Sequence, residues 1–163
     1  VTGGSGGFGR AAAIGLAVHG ADVAVTSRTL SSLEETAAEI KKQGKKALPI
    51  SCDVTDPKSV EQMVNQAVKE FGKVNILVTS AGIAMRSPAE DFPIEDWQKV
   101  MDTNVKGTFL CCQAAGKVMI KQGGGGKVIT VSSIRGLLGH PGGYAAYGTS
   151  KGAVHLLTRQ LAI

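Results

Sequence analysis

The stretch VTGGSGGFGR, Val1–Arg10, decides how the rest of the chain is read. Five of its first nine residues are glycine. Glycine loses more conformational freedom on folding than any other residue, so such a cluster marks a place where something must approach bare backbone. Val1 and Thr2 read as the end of a strand, and Ala11–Val18 (AAAIGLAV), closing near Gly20, is a helix former. A glycine turn between strand and helix admits two readings. It is either a plain structural turn or a cradle in which helix N-terminal N–H groups and the helix dipole attract a pyrophosphate.

Outward from this turn, short apolar runs and helical periodicities alternate. Ala21–Thr26 (ADVAVT) reads as a strand. Ser31 and Glu34 form a capping box for a helix that carries Leu33, Ala37 and Ile40 up to Gly44. Ala47–Ser51 (ALPIS) is a weaker strand. Asp56-Pro57 is an N-cap followed by a first-turn proline, opening a helix with Val60, Val64, Ala67 and Phe71 on one face. Val74–Thr79 (VNILVT) reads as a buried strand. Glu95–Gln122 reads as one long helix with Trp97, Met101, Val105 and Thr108 along one side. Lys127–Ser132 (KVITVS) reads as another buried strand, and helix resumes at Tyr147.

Apolar strands alternating with helices predict a parallel sheet covered on both faces, and right-handed crossovers make it an α/β doubly wound (Rossmann) fold. The chain is expected to be a single nucleotide-binding domain over residues 1–163, truncated at both ends. Val1 abuts the glycine cluster, and Ile163 falls inside an apolar, helix-like stretch.

With 163 residues, 43% apolar and 19% charged, the chain can bury a sizeable core. The net charge of +5 comes from scattered Lys and Arg without basic runs or interleaved aromatics. That argues against nucleic acid and leaves small anionic ligands open. No apolar run reaches the ~18 residues that a membrane span needs. Cys52, Cys111 and Cys112 show no paired spacing, so reduced thiols and a cytoplasmic location are expected. His19, His140 and His155 lie far apart with no ligand-type partner at useful spacing, so no metal site is expected.

Thr2-Gly3-Gly4-Ser5-Gly6-Gly7-Phe8-Gly9 fits T-G-x-x-x-G-x-G. Counting the Val1–Thr2 end as the first strand, Cys52-Asp53-Val54 follows the third and Thr79-Ser80-Ala81-Gly82 the fourth. Asn104-Val105-Lys106-Gly107 lies in the long helix. Ser133 follows the fifth strand, and Tyr147-Gly148-Thr149-Ser150-Lys151 matches Y-x-x-x-K. In this order, over the whole chain, these motifs resemble the classical short-chain dehydrogenase/reductase family, including members of the 3-oxoacyl-carrier-protein reductase and gluconate 5-dehydrogenase types.

The resemblance implies hydride exchange between a nicotinamide cofactor and a small carbonyl or secondary alcohol. Gly3, Ser5, Gly7, Phe8 and Gly9 would cradle that cofactor. Asp53, beside Val54, would accept a hydrogen bond from the adenine amino group, since Asp56 is the better cap for the next helix. Ser80, Ala81 and Gly82 would let the cofactor pass the fourth strand. The family commonly has Asn-Asn-Ala-Gly there; Thr79-Ser80 lacks the two amides that would support that strand.

Tyr147 and Lys151, at i and i+4, share a helix face. A cation so placed favours a phenolate and suits Tyr147 to acid–base work, the alternative being a packed aromatic. Tyr144 has glycine four residues on. Ser133 lies at the carboxyl edge of its strand, where open α/β sheets bind ligands, and can polarise a carbonyl; Ser132 is the neighbouring candidate. Asn104 sits mid-helix against its propensity. By resemblance it distorts the helix and holds a water leading to Lys151; otherwise it is an exposed helical asparagine.

At the end of the second strand, Thr26-Ser27-Arg28 offers no carboxylate for a ribose 2′-hydroxyl. Arg28, with Ser27 as a further donor, suits a 2′-phosphate, so NADP(H) is preferred over NAD(H). A non-catalytic NADP(H)-binding sensor or scaffold is the alternative function; it would not need Asn104, Ser133, Tyr147 and Lys151 together. By resemblance the long helix and the Tyr147 helix would form the contact of a homo-oligomer, a tetramer or dimer. His140, Pro141 and Tyr144 are candidates to line the substrate pocket, while Met85, Arg86 and Trp97 read equally as packing, surface or substrate contacts.

Overall fold

Thr2 joins the two halves of the sheet. In the computed structural model, which describes residues 1–163, β1 (Val23–Ser27) pairs in parallel with β2 (Ala47–Ser51), and β3 (Ile76–Thr79) with β4 (Lys127–Thr130). Thr2 bridges Thr26 of β1 and Thr79 of β3, both in parallel. Its N–H donates to Val78 O at 2.9 Å, and Val1 O accepts from Thr26 N at 2.9 Å. The lateral order is therefore β2, β1, the Val1–Thr2 segment, β3, β4. The chain winds one way from Thr2 and then the other, as a doubly wound fold does. In such sheets the crevice beyond the carboxyl end of the strand at which the order reverses is the ligand position.

The helices are α1 (Gly7–Val18), α2 (Glu34–Lys42), α3 (Pro57–Phe71), α4 (Ile94–Met101), α5 (Gly107–Gln122) and α6 (Ala145–Leu161). Successive strand residues face opposite sides of a sheet, and β1 uses both. Val23 and Val25 pack with Ala13 and Ala17 of α1, Leu33, and Ile40 of α2. Ala24 packs on the other side, against a larger cluster that includes Val60, Met63 and Val64 of α3, Leu77 of β3, and Cys111, Cys112 and Ala115 of α5. Each fully buried Val or Leu side chain contributes about 1.5–3 kcal/mol, so these two clusters hold strands too short to persist alone.

Several elements depart from expectation. α1 starts at Gly7 rather than Ala11, so Gly7, Phe8, Gly9 and Arg10 form its first turn. Gly9 permits this, because a Cβ there would stand 2.2 Å from Gly3 O. The Ser31/Glu34 capping box does not form. Ser31 lies in a 3-10 turn, Leu30–Leu33, and Leu33 occupies the α2 cap position without a side-chain hydrogen bond. Nearby hydroxyls bond locally instead, Ser27 Oγ and Ser32 Oγ both donating to Thr29 O. Asp56 does cap α3, accepting from Lys58 N and Ser59 N.

The strands are shorter than read. β1 begins at Val23, β3 at Ile76, and β4 ends at Thr130. β4 lies at the edge of the sheet that residues 1–163 form, where Val128 is 40% and Ile129 50% exposed. An apolar run does not by itself separate a covered strand from an edge. The long helix is two, α4 and α5, joined by a π-helical turn over Asp102–Lys106. α6 starts at Ala145, so Tyr147 falls in its first turn. No helix is long and apolar enough to cross a membrane.

Candidate active site

The opening glycines serve two purposes, divided by position. Gly3 and Gly9 are needed by the fold itself. Gly3 has φ +66°, and a Cβ on it would stand 2.8 Å from Ala81 N. Gly4 N donates to Thr26 O at 2.9 Å, and the buried Thr36 hydroxyl donates to Gly4 O at 2.9 Å, fixing the turn to β1 and α2. Gly6 and Gly7, by contrast, border open space, where an added Cβ would meet nothing within 4 Å. They sit at the N-terminus of α1, whose first N–H groups lack helical partners. Phe8 is 78% exposed beside them.

Two clefts meet at this turn. One, of about 800 Å³, is lined by Gly3, Ser5, Gly7, Phe8, Ser80, Ala81, Gly82, Ser133, Tyr147 and Lys151, among others. The other, of about 670 Å³, is lined by Gly3, Ser5, Ser27, Arg28, Asp53, Val54, Ala81 and Gly82, among others. They share Gly3, Ser5, Ala81 and Gly82, so an elongated ligand can run from Arg28 and Asp53 at one end to Ser133 and Tyr147 at the other. Of the residues expected to touch a dinucleotide, Gly9 alone lies outside both, buried beneath the turn.

At the Arg28 end two expectations are corrected. Asp53 is not wholly free: its Oδ1 accepts from Thr55 N at 2.9 Å and from Thr55 Oγ1 at 2.8 Å. The Thr55 backbone N–H, and then its hydroxyl, hold the Asp53 carboxyl below the usual carboxylate range. Ser27 is not a spare donor, since its proton is directed to Thr29 O. Arg28 is exposed and takes part in none of the ion pairs.

The strand support that Thr79-Ser80 lacks comes from Thr2. Its buried Oγ1 accepts from Ser80 N at 3.1 Å and Ala81 N at 3.2 Å. One hydroxyl thus fixes the backbone along which the two clefts join.

At the other end, α6 places Tyr147 and Lys151 on one face, with Lys151 Nζ 5.7 Å from the Tyr147 ring centroid. Nζ donates to Val131 O at 2.7 Å, and burial lowers the lysine pKa. Asn104 is buried in the π-helical turn rather than exposed. Its Nδ2 donates to Ile83 O and to Ser150 Oγ, each at 2.9 Å. A Cβ on Gly82 would stand 3.2 Å from Asn104 Oδ1 and 3.6 Å from Lys151 Nζ, so both polar atoms converge beside bare glycine backbone.

The two serines divide their tasks. Ser132 Oγ donates to Lys151 O at 2.7 Å, tying the end of β4 to α6. Ser133 Oγ accepts from Arg135 N at 3.2 Å, which leaves its own proton available toward the cleft. His140 and Pro141 do not line this cleft; with Tyr144 they border a neighbouring one of about 580 Å³. Met85 lines the Arg28 cleft, and Trp97 packs edge-on against Phe92.

Residues 1–163 match the model of the family described as short chain dehydrogenase. The chain belongs to that family. It is 40% identical over its whole length to an L-rhamnose 1-dehydrogenase (NAD(P)(+)) from a Sphingomonas species, and 38% identical over 99% of its length to a gluconate 5-dehydrogenase from Gluconobacter oxydans. It spans 64% and 62% of the lengths of these two relatives. A crystal structure of a short-chain type dehydrogenase/reductase from Mycobacterium marinum superposes with a TM-score of 0.97 at 44% identity, covering 99% of this chain and 66% of that one.

In this member of the family, sequence reasoning missed Thr36 and the supporting role of Thr2. Both act on backbone far along the chain, at separations of 32 residues for Thr36 to Gly4 and 78 for Thr2 to Ser80. The signals were Thr2's place at the head of the glycine spacing and Thr36's position on the helix face that carries Leu33, Ala37 and Ile40.

Proposed function

We propose that the protein is an NADP(H)-dependent oxidoreductase that interconverts a small carbonyl compound and the corresponding secondary alcohol, with residues 1–163 forming one nucleotide-binding domain. The observation that carries this reading is the joined cleft: a glycine cradle in the middle, Arg28 at one end, and Ser133, Tyr147 and Lys151 at the other. The residues fit a dinucleotide. Bare backbone at Gly6 and Gly7 leaves the room a ligand needs, and α1 presents its N-terminus to a phosphate. Gly3, Ser5, Gly7, Phe8, Ser80, Ala81 and Gly82 would hold the cofactor's middle. Asp53, with Val54, would meet adenine through the oxygen that Thr55 leaves unused.

When bound, the nicotinamide supplies the hydride in reduction and accepts it in oxidation. Tyr147 gives the substrate oxygen its proton, and Ser133 donates a hydrogen bond to that oxygen as charge develops on it. Lys151, held by Val131 O, places a cation beside the phenol. Asn104, through the π-helical turn, holds a water from which Lys151 and Tyr147 are resupplied with protons.

Arg28 and the missing carboxylate favour NADP(H). The Sphingomonas relative is named for NAD(P)(+), which supports NAD(H) as a second cofactor. Three free thiols suit a reducing cytoplasm. Exposed Phe109 and Ile120 on α5, and Leu156 on α6, suit contacts in a homodimer or homotetramer. The test is NADPH and NADH oxidation by the whole protein against a carbonyl panel, with Arg28→Glu alongside. NADPH should be preferred and Arg28→Glu should reverse the preference. An unchanged preference removes Arg28 from cofactor choice.

A further inference from the structure

We propose that His155 is a positioning residue for the reaction: its imidazole holds the Ser133 peptide so that the Ser133 hydroxyl points to the substrate oxygen. This rests on the carbonyl-reductase reading, in which Ser133 is a donor to that oxygen. It adds a residue that lines neither cleft and so acts through Ser133 rather than on the ligand.

From Thr130, the last residue of β4, to Ser133, four consecutive residues are each hydrogen-bonded to α6. Thr130 Oγ1 and Thr158 Oγ1 are 2.6 Å apart. Val131 O accepts from Lys151 Nζ at 2.7 Å, and Ser132 Oγ donates to Lys151 O at 2.7 Å. Ser133 O accepts from His155 Nε2 at 3.3 Å. A carbonyl oxygen only accepts, so Nε2 carries the ring proton in this bond. Tyr147, Lys151 and His155 follow one another at i, i+4 and i+8 along one face of α6. The face that carries the acid and the cation therefore also holds the backbone of the serine.

The bond acts where the strand has ended. Ser133 has φ −157° and ψ 153°, and the chain then turns through the 3-10 helix Ile134–Gly136. Gly136 lets this turn lie on α6: a Cβ there would stand 2.6 Å from Lys151 C and 2.7 Å from Gly152 N. A carbonyl has two lone pairs. Gly136 N donates to Ser133 O at 3.0 Å from within the turn, and His155 supplies a second donor from α6. With the first bond alone, the Ser133 peptide moves with its own turn. With both, its plane is set by the helix that carries Tyr147, so the two groups that must meet one substrate oxygen share one support. The direction of Oγ follows from that backbone. A misplacement of about 1 Å at a reacting group is enough to cost about 10²-fold in rate.

The experiment is a double-mutant cycle in kcat on the whole protein, with NADPH and the carbonyl compound it reduces fastest, using His155→Leu, Ser133→Ala and the two together. His155→Leu removes the donor and keeps most of the volume; His155→Phe, which keeps a flat ring, serves if His155→Leu does not fold. His155→Leu should lower kcat about 10–10²-fold while KM for NADPH stays. His155→Gln, whose amide returns an N–H at the reach of Nε2, should recover part of the loss. In the Ser133→Ala background, His155→Leu should lower kcat further by no more than about twofold, since no hydroxyl is left to aim. A role confined to helix packing would lower the denaturant midpoint and leave kcat of the folded protein unchanged. Wild-type kcat in His155→Leu, or the same fold loss with and without the Ser133 hydroxyl, overturns the positioning role and leaves the reductase reading intact. Wild-type kcat in Ser133→Ala, or a protein that reduces no carbonyl, removes Ser133 as the donor and the role of His155 with it.

Discussion

Asn104 and the backbone of Ile83 hold each other by two hydrogen bonds: Oδ1 accepts from Ile83 N at 2.8 Å, and Nδ2 donates to Ile83 O at 2.9 Å. The same Nδ2 reaches Ser150 on α6. One buried amide therefore ties together the π-helical turn, the segment after β3 and the helix that carries Tyr147. Asn104→Ala strands these partners in the interior and should destabilise the protein by about 2–4 kcal/mol. The measurement is the denaturant midpoint at constant m-value. A loss under about 0.5 kcal/mol, the range of an ordinary surface change, would remove Asn104 as the tie.

The glycines of the opening turn separate by substitution. A methyl on Gly9 meets Gly3 O at 2.2 Å, so Gly9→Ala must push α1 off the strand end. A cost of about 1–3 kcal/mol or more is expected from such overpacking. Gly6 has φ −168°, extended backbone that any residue adopts, and open space around it. Gly6→Ala should leave the thermal midpoint unchanged and weaken NADPH binding, since its methyl projects where the ligand must lie. Equal effects of the two changes on stability and binding would contradict this division.

Ser132 and Ser133 should give opposite signatures. Ser132→Ala removes the hydrogen bond to Lys151 O and should cost about 1 kcal/mol of stability. Ser133→Ala should lower kcat about 10²–10³-fold with little change in stability, as expected on removing a donor to a developing oxyanion. Steady-state kinetics beside unfolding curves on both variants reads the difference, and a larger kcat loss in Ser132→Ala would exchange their roles.

Burial pushes the Cys111 thiol up to about 12 and Cys112 up to about 11, and raises Cys52 as well. The folded state therefore holds these protons more tightly than the unfolded state. Their contribution to stability is complete below the ordinary thiol value of 9.0 and declines as pH rises from there toward about 12. At about pH 8 no native thiol should react with a disulfide reagent, because the thiolate is the nucleophile. All three should react once the chain is unfolded. A fast-reacting thiol in the native protein would contradict the buried cluster.

The βα order was legible because parallel strands covered on both faces are written as apolar runs between periodic helices. The glycine spacing and the Tyr147/Lys151 pair were legible because both are local. What failed was what depends on distant or competing partners. The Ser31/Glu34 box lost to hydroxyls that bond to Thr29 O. The helix distortion expected at Asn104 was legible from the resemblance and from an asparagine set against its propensity, though not that it would divide the long helix into α4 and α5. Val128 and Ile129 are as apolar as a covered strand, and the open edge they form was expected of a chain that spans only 64% and 62% of the two relatives' lengths. Tyr144, which lacks a lysine partner in sequence, gains two arginines from elsewhere in space.

Single-turnover reduction of a carbonyl by the NADPH-loaded whole protein, wild type against Tyr147→Phe, tests the central claim most directly. The account predicts that Tyr147→Phe binds NADPH with near wild-type affinity and transfers hydride slower by about 10²–10⁴-fold, the range for loss of a general acid. A Tyr147→Phe protein that reduces the carbonyl at the wild-type rate would contradict it.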